Sequence, residues 1–320
     1  MITVQHNAHD QQAGFGLVEI LVALTLSMFL MGGIIQVYLA NKQSYRMTEG
    51  LSRLQENARY SMKSLSLNLQ PGGYRGCLGA KDRNFVNTLA VKDATSPYDF
   101  GVSVTGNDGG SGSDTVTLRR AIGGDSIAVV NAMAHKSDVI TLDASDPDYS
   151  RLQQYQILTI SDCEVAAVFM ITNDPKKNSM GTIEHKTGVV APAGGLNEGQ
   201  SNSTEYLSHI FGAKTASVAT VYSSASVTYE LATGAGGHLS LFASNQELVE
   251  GVQDFQVTYG LPLSDGSGNI QYLSASTGLN WPAVETLRVA LTLDTVEDVN
   301  SNGTIAKSFG RTFRVRNRNP

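Results

Sequence analysis

Gly14-Phe15-Gly16-Leu17-Val18-Glu19-Ile20-Leu21-Val22-Ala23-Leu24 opens an apolar run that continues to about Leu39. From Phe15 to Leu39 the run holds roughly 25 residues, about 37 Å as a helix, which spans a hydrocarbon core with some tilt. Glu19 is its only charged residue before Lys42. A carboxylate inside a membrane costs on the order of 3 kcal/mol on insertion scales, so it calls for a partner. The Gly14-Phe15 step offers one. Cleavage after Gly14 would free the amino group of Phe15, a positive charge within reach of a carboxylate.

An ordinary secretory signal fits poorly. Such a signal has a basic start, a shorter apolar core and a small-residue cleavage site after that core. Here no Lys or Arg precedes the run, the run is long, and Gly14 lies before it. A generic membrane anchor explains the length but not the glutamate.

Gly14-Phe15 followed by Leu17, Val18 and Glu19 resembles the prepilin peptidase site of type IV pilins and type II secretion pseudopilins. The resemblance implies cleavage between Gly14 and Phe15, N-methylation of Phe15, and an assembly role for Glu19 through the amino terminus of a neighbouring subunit. Two positions depart from the usual pattern: Gly16 stands where a hydroxyl residue is common, and the leader has only His6 and His9 in place of basic residues. Lys42 and Arg46 follow the apolar run, so charge counting would place the C-terminal part in the cytoplasm. The resemblance places it outside, and the composition of that part agrees with export.

The helix is expected to continue beyond the membrane. Residues 40–69 contain no proline and one glycine, Gly50, and Leu51, Leu54, Ala58, Met62, Leu65 and Leu69 recur three or four apart on one face. Arg53, Glu56, Arg59 and Lys63 fall largely off that face, and Pro71-Gly72-Gly73 ends the helix. Gly32-Gly33 marks either a flexible point or a place where another helix approaches closely.

Beyond residue 71 glycine, serine, threonine and aspartate rise and β-branched alternation appears. The pattern predicts strands at 115–121, 126–131, 138–142, 156–161, 166–172, 216–222, 226–231, 239–242, 252–259, 286–293 and 311–315. Turns or loops are expected at 106–113, 194–203, 234–237 and 264–269. No later segment reads as a long helix. The fold class is therefore α+β: a long N-terminal helix, its first half membrane-spanning, packed on a largely antiparallel β-rich head. The organisation expected is a leader at 1–14, a transmembrane helix half at 15–39, an amphipathic half at 40–70 and a head at 71–320.

The 320-residue chain has a formal net charge of −6 with 16% charged residues, a balance that argues against broad nucleic-acid affinity. Arg311, Arg314, Arg316 and Arg318 cluster at the C-terminus, and the last three would share one face of an extended strand. They read either as a local basic patch or as a charged strand edge that resists pairing. In an exported head the two cysteines, Cys77 and Cys163, suggest one disulfide closing a long loop; the alternative is two buried free thiols.

Four further stretches carry a second resemblance: Gly72-Gly73-Tyr74-Arg75-Gly76-Cys77, Ile160-Ser161-Asp162-Cys163, Leu248 through Gly260, and Phe313-Arg314-Val315-Arg316-Asn317-Arg318. Together they resemble the PilW-type minor pilins, relatives of the J-type minor pseudopilins of type II secretion. This implies a minor subunit that primes type IV pilus assembly and sits at or near the fibre tip. Its implied partners are other minor pilins, the major pilin, prepilin peptidase and the inner-membrane assembly platform. Its implied location is a single-pass inner-membrane protein with a periplasmic head, later built into a cell-surface pilus. The alternatives are a J-type pseudopilin of type II secretion, an adhesive or DNA-binding tip module, and a membrane-anchored enzyme.

Catalysis is not expected. The six histidines are scattered and form no His-Glu-x-x-His, and neither a Gly-x-Ser-x-Gly elbow nor a phosphate-binding loop is present. Gly109-Gly110-Ser111-Gly112 lacks the lysine such a loop needs. Asp114, Asp125, Asp138 and Asp143 read as turn residues. No cofactor is expected, with one calcium candidate: Asp298, Asn300 and Asn302 before Gly303 copy the start of a calcium loop. Phe309 stands at the twelfth position in place of the bidentate glutamate, and an Asn-Gly turn between strands explains the same letters.

Overall fold

The computed structural model describes residues 16–78, 84–92, 96–177, 181–212, 218–299 and 303–315. Helix α1 (Leu17–Leu69) precedes strands β1 (Phe85–Asn87), β2 (Val104–Asn107), β3 (Thr115–Asn131), β4 (Ile140–Leu142), β5 (Ile157–Ser161), β6 (Ala166–Met170) and β7 (Thr182–Ile183). The chain continues through β8 (Thr220–Thr233), β9 (Leu239–Ala243), β10 (Gln246–Glu250), β11 (Val252–Pro262), β12 (Ile270–Leu273), β13 (Thr286–Asp294) and β14 (Ala306–Arg314). Between them lie three short 3-10 turns and no second α-helix among the described residues.

The strands form two sheets. The larger runs β1-β6-β5-β8-β3-β4-β7, with β2 on β3, β9 on β8 and β10 on β9. The smaller runs β12-β11-β13-β14. Pairing is antiparallel throughout except between β1 and β6.

The second half of α1 lies across both sheets. Leu54, Ala58, Met62, Leu65 and Leu69 are buried, with Leu51 at the margin, while Arg53, Glu56, Arg59 and Lys63 stay exposed. Against this stripe pack Val116, Leu118 and Tyr229 of the larger sheet and Phe255, Val257, Leu287, Val289, Leu291 and Phe313 of the smaller. Burying one such leucine contributes about 1.5–3 kcal/mol, so the stripe outweighs any intrinsic helix propensity. A second core, centred on Leu158, Ile160, Phe169 and Phe211, fills the region under β4 to β6.

Several expected strands take different bounds. The segments 115–121 and 126–131 are one strand, β3, whose register against β8 slips between Ala121 and Ser126. Gly123-Gly124 sits at the slip, where missing side chains let the strand bulge rather than end. In the same way β8 runs unbroken through 223–225. The turn expected at 106–113 begins later, because β2 includes Gly106 and Asn107. A Cβ on Gly106 would collide with the Tyr259 hydroxyl, so glycine here marks a close approach of β2 to β11. Strand β14 starts five residues before the expected 311, and β1, β2, β7, β10 and β12 were not expected.

Two buried charges join elements that the sequence does not connect. Asp114, read as a turn residue, accepts from Val257 N at 2.7 Å and Gly109 N at 3.0 Å, tying the start of β3 to β11. Arg119 on β3 is fully buried; it donates to the carbonyls of Ser96, Pro97 and Val102 and to Thr105 Oγ1. Burial lowers its pKa to about 10, with the Asp99 charge opposing. Its guanidinium fork holds the 96–102 loop against the larger sheet.

Candidate assembly site

From Leu17 to Leu39 every residue of α1 is exposed on all sides, among them Leu17, Val18, Met28 and Phe29 at 72–80%. The 23 residues of this bare half extend about 35 Å at 1.5 Å per residue. A single helix crossing a membrane needs such a surface, and a neighbouring helix can cover it equally well. Gly32 and Gly33 lie within unbroken helix, and a Cβ on either would meet nothing within 4 Å. The helix runs on through both, and the open space beside them leaves room for another helix to approach closely.

Glu19 sits in the first turn of α1, where the helix dipole favours negative charge. Its own N–H donates to Gly16 O at 2.9 Å, and its carboxylate makes no ion pair among the described residues. Gly14 and Phe15, the expected cleavage and methylation positions, lie outside the described residues.

The head grips the helix at three levels. Nearest the bare half, Val299 of the β13–β14 connection is buried against Gly50, where a Cβ would come within 2.6 Å of Val299 Cγ1. The only glycine in the 40–69 segment is thus a seat for the loop. In the last turns of α1 Tyr229 of β8 is fully buried with its hydroxyl 2.6 Å from Asn68 Nδ2 and 3.2 Å from Ser64 Oγ, while Arg120 Nη2 donates to Asn68 Oδ1 at 3.1 Å. At the far end a Cβ on Gly72 would contact Val315.

Just past the helix, Cys77 and Cys163 form a disulfide with Cα atoms 4.7 Å apart. It ties the chain leaving α1 to the turn between β5 and β6. The neighbouring Gly76 has φ 74°, and a Cβ there would press on the Tyr222 ring at 2.7 Å, so both its freedom and its size are used. Asp162, beside the disulfide, pairs with His209 Nε2 at 2.7 Å and fastens the 203–212 loop to the same turn.

The remaining candidates fall elsewhere. Asp298 borders a cleft of about 210 Å³ with Arg46, Glu49, Arg53 and Glu297, while Asn300 and Asn302 lie outside the described residues. Among the described residues no three His, Cys, Asp or Glu side chains gather as a metal site. Arg311 and Arg314 lie on β14, the edge of the smaller sheet, which is the charged-edge arrangement; Arg316 and Arg318 lie outside the described residues. Sequence reading missed Asn68, Arg120, Tyr229 and Val299 as grip residues. The only available signal was Gly50, a lone glycine in a strongly periodic helix.

Two family models match the chain. The prokaryotic N-terminal methylation motif matches residues 10–35, and the model described as type IV pilus-assembly protein W matches residues 220–317. The second match covers β8 to β14, the whole smaller sheet with Tyr229 and Val299, and so most of what holds the helix. No curated protein and no solved structure gives a match. With a methylation motif at the head of a bare apolar helix, and a pilus-assembly W region that spans β8 and the whole smaller sheet, the chain is type IV pilin-like over these two matched stretches.

Proposed function

We propose that the chain is a minor pilin that primes type IV pilus assembly and sits at or near the fibre tip. Prepilin peptidase removes residues 1–14, Phe15 is N-methylated, residues 15–39 cross the inner membrane and the head lies in the periplasm until the subunit enters the pilus. Partners are other minor pilins, the major pilin and the inner-membrane platform. The observation that carries this reading is the division of α1: the head covers one half and leaves about 35 Å of apolar helix, with one acidic group in its first turn, for neighbours.

Mechanically, the Phe15 amine of one subunit pairs with Glu19 of another. In a low dielectric an unpaired carboxylate is costly, so pairing selects one axial register for incorporation. Pilin partners then face the bare helix through small residues such as Gly32 and Gly33, and the heads meet side by side. The test is Glu19→Ala. Membrane insertion should persist, while gentle crosslinking and purification should lose the other minor pilins from the partner set. An unchanged partner set would refute the pairing role.

A further inference from the structure

The larger sheet carries a groove of about 760 Å³ on the face turned away from the helix. Along β8, Val227, Tyr229 and Leu231 pack into the helix-side core, so by alternation Ser226, Thr228 and Glu230 point the opposite way and form the groove floor. Tyr98 stands on one wall, on the loop that Arg119 anchors; its backbone carbonyl also accepts from Asn87 Nδ2 at 2.9 Å. Gln156 and Asn197 line another wall, each held by a hydrogen bond, to Ser223 Oγ at 3.0 Å and to Tyr155 O at 2.8 Å. The groove is built from fixed elements, and its size falls within the range of small-molecule sites, about 300–1,000 Å³.

Its chemistry narrows the ligand. Ser226 Oγ makes no hydrogen bond within the protein and exposes almost no surface, so a rotation of its side chain into the groove would give it a ligand partner. Hydroxyls and amides that both donate and accept surround it, beside one half-buried phenol ring. The one arginine at the rim, Arg151, is engaged by Asp148 at 2.9 Å and Asp125 at 3.3 Å, and Glu230 adds a carboxylate to the floor. That charge balance repels phosphate and sulfate. We propose that this groove binds a short neutral oligosaccharide, with Tyr98 as the ring platform and Gln156, Asn197, Ser226 and Thr228 as the hydrogen-bonding set. Because the groove and the helix occupy opposite faces, binding requires no step of assembly and survives if the assembly reading fails.

The test uses the full chain in detergent micelles. Saturation-transfer NMR is run with maltotriose, cellotriose and chitotriose, alongside a sulfated heparin trisaccharide and a single-stranded oligonucleotide. At least one neutral trisaccharide should receive saturation, with affinity insensitive to salt between about 50 and 300 mM, because screening acts on charges and this ligand has none. Tyr98→Leu, which keeps an apolar side chain against the Leu89, Phe100 and Ile157 cluster but removes the ring, and Glu230→Arg should each weaken that binding at least tenfold while keeping the wild-type melting temperature. Transfer to none of the neutral sugars, preference for the sulfated or nucleic-acid probe, or binding untouched by both variants would overturn the proposal.

Discussion

Placing a methyl group on Gly50 tests how the head holds the helix. Alanine is favoured over glycine inside a helix by about 1 kcal/mol. Against this, the new Cβ would lie 2.6 Å from Val299 Cγ1 and 3.4 Å from Thr295 Cγ2. Overpacking of this kind costs about 1–3 kcal/mol, so Gly50→Ala should lie between neutral and about 2 kcal/mol destabilising. In a Val299→Ala background the obstructing methyls are gone and only the propensity gain remains. The same substitution should then stabilise by about 1 kcal/mol, giving a coupling of about 1–3 kcal/mol in a double-mutant cycle. Urea unfolding of the detergent-solubilised chain can be followed through Trp281, the single tryptophan, whose ring lies 4.8 Å from Tyr259 in the helix-packed core. An equal effect of Gly50→Ala in both backgrounds would refute the seat.

Two more outcomes follow from buried groups in the head. Replacing Cys77 and Cys163 by alanine frees a loop with a sequence separation of 86, which the chain-entropy model values at about 4.5 kcal/mol, so the unfolding midpoint should drop sharply; an unchanged midpoint would contradict it. His185 is buried against Phe169; its Nε2–H donates to Asp138 O at 2.9 Å, and its Nδ1 has no partner. Burial lowers its pKa below the ordinary value of about 6.5. The folded state therefore binds fewer protons than the unfolded one at this site. Its contribution to stability is fully present above about pH 6.5 and is lost as pH falls toward the folded-state pKa. A His185→Gln variant should flatten the stability profile between pH 6.5 and 5, and a profile identical to wild type would count against the assignment.

The helix was legible because its evidence is periodic and local. Leu54, Ala58, Met62, Leu65 and Leu69 fall on one face, and that face is the buried one. The cysteine pair was legible as one of two readings, and the structure takes the disulfide. The strand breaks at 122–125 and 223–225 were misread because serine and glycine runs also mark bulges in continuous strands. Strand β9 was legible, but its hairpin partner β10 escaped because Ser244 and Asn245 make the turn with φ of 47° and 68°, a weaker signal than Asn-Gly. Asp114 and Arg119 gave no warning, since their partners are backbone groups brought close only by the tertiary fold. The groove on β8 was equally hidden: its residues come from six separated segments, and alternation along one strand cannot show what covers the far face.

The central claim is that the apolar helix begins at a freed, methylated Phe15 whose charge a neighbour's Glu19 meets. N-terminal sequencing with intact mass measurement of the chain recovered from assembled fibres tests it most directly. The account predicts a first residue of N-methylphenylalanine corresponding to Phe15, with residues 1–14 absent. A chain that still begins at Met1 in assembled fibres would contradict it.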